Sequence, residues 1–187
     1  MSILEQAENL MQAGAFDQAE EILHSILFDE PDDLKAICDI GIVYTERGKN
    51  DEAVKALCHY LDRDQNNPAA WEALGCAYFR KTKFKKALTC FDKALEIKPR
   101  NPSVLRNKGV LLGVMGKRQK GYDLIQDSYY LKPDDFRTLY ALSYIHKEFG
   151  FRVQARRAME KLLTMTIPDD IRKDTVVNLI KFDLNWE

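Results

Sequence analysis

The side chains of this sequence with the greatest capacity for chemistry are three histidines and four cysteines. They are His24, His59, His146, Cys38, Cys58, Cys76 and Cys90. No histidine has a carboxylate or a cysteine at a recurring distance, no CxxC pair occurs, and no cysteine lies at a zinc-like spacing from a histidine. Glycine-rich phosphate loops and metal-ligand patterns are absent as well. We therefore expect neither enzyme activity, nor a cofactor, nor a metal site.

A dense basic run raises nucleic-acid binding as a second chemistry. It contains Arg80, Lys81, Lys83, Lys85 and Lys86, and the rings of Phe79, Tyr140 and Tyr144 have faces on which bases could stack. The isoelectric point near 6.3, however, is well below that of a dedicated binder. Most of these lysines are also expected at a turn between helices, where solvated charges are common. Nucleic acid is therefore not the expected partner.

These side chains belong to a pattern that repeats every 34 residues. In residues 68–101 the pattern consists of Trp71, Leu74, Gly75, Tyr78, Ala87, Phe91, Ala94 and Pro99. It recurs without a gap at residues 3–31, 37–65, 105–133 and 139–167. The first four positions share one face of a helix, and the next three share one face of a second helix. Four of the five turns between the helices contain glycine, where a left-handed cap is easiest.

The eight repeated positions resemble the signature of the tetratricopeptide repeat (TPR) family. The resemblance implies an all-α fold, namely a right-handed superhelical solenoid of five TPR helix-turn-helix units plus a C-terminal capping helix. We expect a single TPR domain over residues 1–187. Its predicted parts are repeats at 1–33, 34–67, 68–101, 102–135 and 136–169, and a capping helix with a tail at 170–187.

Both ends of the sequence carry helix signals. Ser2 and Glu5 form an S-x-x-E capping box for the first helix. Residues 168–170, Pro-Asp-Asp, open the last helix, which we expect to cover the end of the array. Its predicted apolar side consists of Ile171, Val176, Val177 and Ile180, with Phe182 and Trp186 packing nearby.

In a TPR array the first helix of each repeat forms a concave inner surface. On these first helices, the residues next to the repeated packing positions face that inner surface. We take these residues, which lie one step around the helix from the packing stripe, as the candidate peptide-binding groove. They are Lys35, Cys38, Ile42, Glu72, Cys76, Phe79, Arg80, Arg106, Asn107, Val110, Arg137, Tyr140, Tyr144 and Lys147. Apolar and aromatic side chains bordered by arginine favour capture of a peptide. The alternative is that some of them pack between neighbouring helices.

Charge is distributed unevenly along the chain. Residues 1–33 contain nine acidic side chains and no lysine or arginine, whereas residues 68–169 contain twenty basic and ten acidic ones. The electric field of such a charge distribution orients partner molecules more than it stabilises the fold. We expect a protein or peptide partner, with an acidic or phosphorylated segment as the candidate ligand. Head-to-tail self-association is the alternative.

The expected role is a protein–protein interaction module, adaptor or scaffold. Two alternatives rest on further resemblances. Residues 57–62 and 74–78 are similar to the repeat junction of type III secretion translocator chaperones, which bind an unfolded client. Small five-repeat bacterial scaffolds associated with magnetosomes are similar in size and layout, and a scaffold of that kind self-associates.

The expected location is cytoplasmic. The N-terminus has no basic segment ahead of an apolar stretch, so no secretory signal is expected. The longest apolar runs, such as residues 110–115, are too short to span a bilayer. Unpaired cysteines suit a reducing compartment.

The fourth repeat departs most from the pattern. Lys108 replaces an apolar residue, Gly121 replaces alanine, and Gly113 and Gly116 add two further glycines. Because glycine weakens helices, we predict faster hydrogen exchange in residues 102–128 than in residues 68–95.

Overall fold

The computed structural model describes residues 2–184, with side chains for residues 2–181. Within residues 2–184 the chain forms eleven α-helices and no β-strand, which confirms the predicted all-α class. The predicted contacts of Phe182 and Trp186, and the end of the predicted tail at 185–187, lie outside the described residues. The chain divides into two compact units, residues 1–99 and residues 100–187. The bounds of the five repeats stay a prediction.

The first unit consists of six helices, each packed against its neighbour in sequence. They are α1 (Ile3–Gln12), α2 (Phe16–Asp29), α3 (Leu34–Glu46), α4 (Asn50–Leu61), α5 (Pro68–Arg80) and α6 (Phe84–Ile97). The second unit consists of α7 (Pro102–Val114), α8 (Arg118–Leu131), α9 (Phe136–Glu148), α10 (Arg152–Leu163) and α11 (Asp169–Leu184).

Helix starts follow the same period. Asp33, Asn67 and Asn101 are the N-caps of α3, α5 and α7. The side chains of Asp33 and Asn67 each accept hydrogen bonds from two backbone N–H groups of the first turn, and that of Asn101 accepts one. The capping box predicted for α1 is confirmed. Ser2 N donates to Glu5 Oε2 at 2.6 Å, and Glu5 N donates to Ser2 Oγ at 3.1 Å.

Two repeated glycines let paired helices approach closely in the first unit. A Cβ on Gly41 would lie 2.7 Å from Leu57, and a Cβ on Gly75 would lie 2.6 Å from the ring of Phe91. Leu57 and Phe91 are themselves buried. Each of these helix pairs therefore brings a large side chain of its second helix onto a glycine of its first helix, which leaves no room for a methyl group.

Each turn between paired helices contains one residue in the left-handed backbone conformation, with positive φ. Gly14, Gly48, Gly116 and Gly150 have φ values between 73° and 81°, as the glycine pattern predicts. The α5–α6 turn has Thr82 at the equivalent position, with φ 56°. A residue with a Cβ is strained in this conformation.

In the fourth repeat the two unusual glycines lie in different surroundings. A Cβ on Gly121 would lie 2.6 Å from the carbonyl oxygen of Gly109, so Gly121 lets the backbones of α7 and α8 meet. A Cβ on Gly113 would have no packing neighbour within 4 Å. Gly121 thus has a packing role that the sequence did not indicate. The predicted hydrogen-exchange contrast stays a prediction.

Helix α11 packs on α10, but not through the side predicted from the sequence. Ile171 is partly buried, whereas Val176, Val177 and Ile180 are 39%, 46% and 53% exposed. The deeply buried residue is Thr175, whose hydroxyl is satisfied by the carbonyl of Ile171 at 2.7 Å. The predicted apolar side is therefore wrong for the three later residues, because the helix docks through the face that carries Ile171 and Thr175.

Candidate functional site

An open apolar cavity of the second unit lies between α7, α8 and α9. Its volume is about 470 Å³. We call it the α7–α9 groove. Its lining residues are Arg106, Gly109, Val110, Gly113, Val114, Arg118, Ile125, Arg137, Tyr140, Ala141, Tyr144, Ile145, Glu148 and Phe149.

The groove is open because of Gly113. One 34-residue period earlier, the equivalent position holds Phe79, and one period later it holds Lys147. Gly113 contributes no side chain, so the space above it is bounded by its neighbours rather than filled. Val114 is 56% exposed and Tyr144 is 40% exposed, which leaves apolar surface available to a ligand.

A buried ion pair supports the wall of the groove. Arg106 Nη1 donates to Asp135 Oδ2 at 2.5 Å, and Thr138 Oγ1 donates to the same oxygen at 2.6 Å. Burial alone would raise the pKa of Asp135. The hydrogen bond from Thr138 and the charge of Arg106 outweigh burial, so the pKa of Asp135 is lowered. Arg106 is only 8% exposed. It lines the groove, but its charge is already paired with Asp135.

Two tyrosines of α9 connect the groove with α11. Tyr140 Oη donates to Asp174 Oδ2 at 2.9 Å, and Tyr144 Oη donates to it at 2.6 Å. Asn178 Nδ2 also donates to this oxygen, at 3.0 Å. Burial, reinforced by these neighbours, raises the pKa of Tyr140. The hydroxyl ends of both tyrosines are therefore committed to α11, while their rings, which lie 5.1 Å apart, remain part of the groove wall.

The other predicted groove residues of the second unit lie at the margin. Asn107 Oδ1 accepts from Arg106 Nε at 3.2 Å. The guanidinium of Arg137 lies 5.3 Å from the centre of the Phe136 ring, and Arg137 also lines the groove. Lys147 is exposed, and its Nζ lies 3.4 Å from Asn178 Oδ1.

In the first unit the predicted residues are mostly engaged with their own unit. Lys35 Nζ pairs with Glu8 at 2.5 Å, and Arg80 donates to the backbone carbonyl of Thr45. Phe79 packs against Phe84 with the ring centres 5.9 Å apart. The remaining three are partly buried: Ile42, Glu72 and Cys76.

Cys38 is a correction to the predicted groove. It is 3% exposed and belongs to the apolar core of the first unit, with Asn67 Nδ2 donating to its sulfur at 3.5 Å. Burial raises the pKa of the thiol to about 12. A position one step from the packing stripe still falls inside the core here, because α5 packs directly on α3.

Nine of the lining residues are not in the predicted groove set. They are Gly109, Gly113, Val114, Arg118, Ile125, Ala141, Ile145, Glu148 and Phe149. A signal was present on α9, where Ala141, Ile145 and Glu148 follow the helical spacing of four and three residues that places side chains on one face. The contribution of Arg118, which begins α8, depends on tertiary packing.

The described residues contain neither a metal-binding cluster nor a membrane-spanning helix. Among the side chains of residues 2–181, no group of three or more His, Cys, Asp or Glu is placed to hold a metal ion. No helix in that range combines the length and apolar character that a bilayer crossing requires.

Comparison with known proteins identifies the repeats. Two family models described as tetratricopeptide repeat match residues 10–75 and residues 68–101. The crystal structure of TTC0263, a thermophilic TPR protein of Thermus thermophilus, aligns with a TM-score of 0.81 at 19% identity. The alignment covers 95% of this chain and 97% of that chain. Residues 10–101 of the chain are tetratricopeptide repeats.

Other TPR structures share the fold. MamA from Desulfovibrio magneticus RS-1, from its residue 41 to the end, gives a TM-score of 0.66 at 17% identity. That alignment covers 87% of this chain and 92% of the other. At these identities the likeness concerns the fold alone.

The curated relatives of this TPR chain are much longer proteins. Protein O-mannosyl-transferase TMTC1 of Homo sapiens is 24% identical over 174 residues, which are 91% of this chain and 19% of the relative. ER membrane protein complex subunit 2-A of Xenopus laevis is 28% identical over 86 residues, 46% of this chain and 29% of the relative. This chain therefore spans less than a third of either. TPR repeats are typically non-enzymatic scaffolds, and the transferase name describes the longer relative.

Proposed function

We propose that this TPR chain binds a segment of a partner protein, and that apolar side chains of the segment enter the α7–α9 groove. The observation that carries the proposal is the open apolar space above Gly113. The TPR fold supports a protein-interaction scaffold in general, and this groove is the part of the second unit best suited to the task.

The size and lining of the groove support a peptide ligand. Its volume of about 470 Å³ lies within the ~300–1,000 Å³ range of sites that enclose a compact ligand. Val110, Ile145 and Phe149 supply apolar contact, and Tyr144 supplies an aromatic wall. Filling such a surface releases water from both partners, which is the main favourable term in association.

Charge at the margin favours an acidic segment. Arg118 and Arg137 line the groove and are exposed. Arg118 Nη2 lies 3.6 Å from Glu148 Oε2, a distance at which the pair is weak and a ligand carboxylate can compete. Arg106, by contrast, is committed to Asp135 and serves to position the wall.

Selection from a random peptide library tests this function without a known partner. Wild-type protein is the bait, and the Gly113→Phe variant removes binders that do not need the groove. We expect the surviving peptides to be enriched in large apolar residues and in Asp or Glu. A surviving set without apolar enrichment would refute the proposal.

Self-association is a second candidate, favoured by the uneven distribution of charge along the chain. Local ion pairs reduce this attraction in part, because Glu8 pairs with Lys35 at 2.5 Å and Asp17 pairs with Arg47 at 2.6 Å. A scaffold built head to tail would show a molar mass that falls as salt is added. Light scattering that reports a monomer at every ionic strength would exclude it. A secretion-type chaperone role and a cytoplasmic location stay predictions.

A further inference from the structure

The last turn of α2 carries an aromatic side chain that its own chain leaves uncovered. Phe28 is 87% exposed, the highest value for a large apolar side chain among the described residues. Asp29, Glu30 and Asp32 follow it directly and are exposed as well. We call residues 28–32, Phe-Asp-Glu-Pro-Asp, the Phe28 segment.

The packing of the repeats does not account for Phe28. The equivalent positions one, two and four periods later hold Asp62, Glu96 and Thr164, which are polar and exposed. Three periods later the position holds Tyr130, which is 75% exposed. The position therefore faces solvent in all five copies of the pattern, and Phe28 has no packing role within its own fold.

The acidic side chains of the Phe28 segment are unpaired. Among the described residues, those of Asp29, Glu30 and Asp32 have neither an ion pair nor a hydrogen bond. The next carboxylate, Asp33, differs because it is the N-cap of α3. The segment therefore presents one aromatic ring beside three carboxylates whose charges are available to a cationic surface.

The α7–α9 groove has the complementary chemistry. Its space above Gly113 is apolar, and Arg118 and Arg137 are exposed at its margin. Residues 117–120, Lys-Arg-Gln-Lys, add two more exposed basic side chains and no acidic one. The carboxylate of the lining is that of Glu148, which lies 3.6 Å from Arg118. An aromatic ring flanked by carboxylates therefore matches this groove in polarity and in the sign of its charge.

We propose that the α7–α9 groove receives the Phe28 segment of a second copy of this chain. The ring of Phe28 enters the apolar space above Gly113, and the three carboxylates of the segment face Arg118 and Arg137. The inference rests on the function proposed above, because it uses the same groove and names its occupant.

The two surfaces that meet are different, so the contact is heterologous. Each copy offers one Phe28 segment and one groove, and association therefore continues head to tail, as an open chain or a closed ring. A contact with a single aromatic anchor and a few ion pairs is at the small end of specific interfaces. We therefore expect weak association that becomes stronger at low salt.

Mixing two variants tests the pairing directly. Phe28→Asp removes the ring and keeps the groove, whereas Gly113→Phe fills the groove and keeps the ring. In sedimentation velocity at low salt, we expect the wild type to associate and each variant alone to remain a monomer of 21.6 kDa. An equimolar mixture should form a dimer that grows no further, because one intact segment and one intact groove remain. A monomeric wild type, a monomeric mixture, or a Phe28→Asp variant that associates like the wild type would overturn the proposal.

A second groove variant and a matched control separate contact from folding. Arg118→Glu changes a side chain that is 65% exposed, so the core is untouched. Alone it should associate at least about tenfold more weakly, and with Phe28→Asp it should again form the dimer. Tyr130→Asp removes the other exposed aromatic ring at this repeat position and should associate like the wild type. Equal losses in Tyr130→Asp and Phe28→Asp would contradict the role of Phe28.

Peptide binding separates this inference from the proposed function. Phe28→Asp keeps the groove, so a peptide selected with the wild-type protein should bind this variant at least as tightly as the wild type. Peptide binding without pairing of the two variants would overturn this inference and leave the proposed function standing. The absence of both would overturn both.

Discussion

A Cβ on Gly121 of α8 would lie 2.6 Å from the carbonyl oxygen of Gly109 on α7. The neighbouring atom is backbone, so it cannot rotate away as the end of a side chain could. We expect Gly121→Ala to lower the free energy of unfolding by about 1–3 kcal/mol through overpacking. Gly113→Ala, on the same helix pair, should instead raise it by about 0.5–1 kcal/mol.

Urea denaturation of the two alanine variants checks this contrast. Helix propensity alone would make both of them more stable than the wild type. A stabilised Gly121→Ala variant would therefore contradict the packing role that we assign to this glycine.

Thr82 occupies the left-handed turn position at which four other turns have glycine. A side chain with a Cβ costs about 1–2 kcal/mol in this conformation, partly offset by the larger backbone entropy that glycine loses on folding. We expect Thr82→Gly to raise the midpoint of urea unfolding and the reverse change, Gly48→Thr, to lower it. Equal midpoints for wild type and Thr82→Gly would show that the α5–α6 turn is unstrained.

The helices could be predicted from sequence wherever a residue type serves one structural purpose, such as close packing or helix capping. The positions of Gly41 and Leu57 recur in register because a large side chain of one helix packs against a glycine of the other. The position of Asn67 recurs as an N-cap because its side chain satisfies free backbone N–H groups. The site was less predictable. Cys38 and Arg106 fall on the predicted face, but neighbouring helices bury the first and pair the second with Asp135. No local pattern encodes these contacts.

Asp39 of α3 predicts an unusual pH dependence of stability. Its Oδ2 is buried without a hydrogen-bond partner among the described residues. Burial and the nearby charge of Glu8 raise its pKa from 3.8 to about 6, although Lys35 opposes this. The folded state then holds the proton more tightly than the unfolded state. The resulting stability is complete below pH 3.8 and is lost as the pH rises through about 6.

We therefore expect Asp39→Asn to stabilise the protein at pH 7.5 by about 1 kcal/mol, a value reduced to allow for partial exposure of the group. Its advantage over the wild type should disappear near pH 4. Thermal unfolding across this range measures the effect, with the exposed Asp29→Asn as the control. An advantage that does not change with pH would contradict the assignment.

Asp174 attaches α11 to α9 by accepting hydrogen bonds from Tyr140 and Tyr144. Bonds to a charged acceptor are worth about 1.5–3 kcal/mol, so Asp174→Ala should speed hydrogen exchange in residues 169–181 at least about tenfold. Asp170→Ala, which removes an exposed carboxylate from the same helix, should leave this exchange nearly unchanged. Equal effects of the two changes would mean that the tyrosine contacts do not hold α11.

The central claim is that the open space above Gly113 receives side chains of a partner. Its most direct test uses a peptide selected with wild-type protein alone, with no removal of binders by Gly113→Phe, and measures its dissociation constant for three variants by fluorescence polarisation. Gly113→Phe places the residue of position 79 in the groove and should weaken binding at least about 30-fold, the loss of a hot spot worth ~2 kcal/mol. The same residue on the exposed surface of α2, in Gln18→Phe, should leave the constant unchanged, and Gly113→Ala should leave the fold intact. A folded Gly113→Phe protein that binds the peptide as tightly as the wild type would contradict the claim.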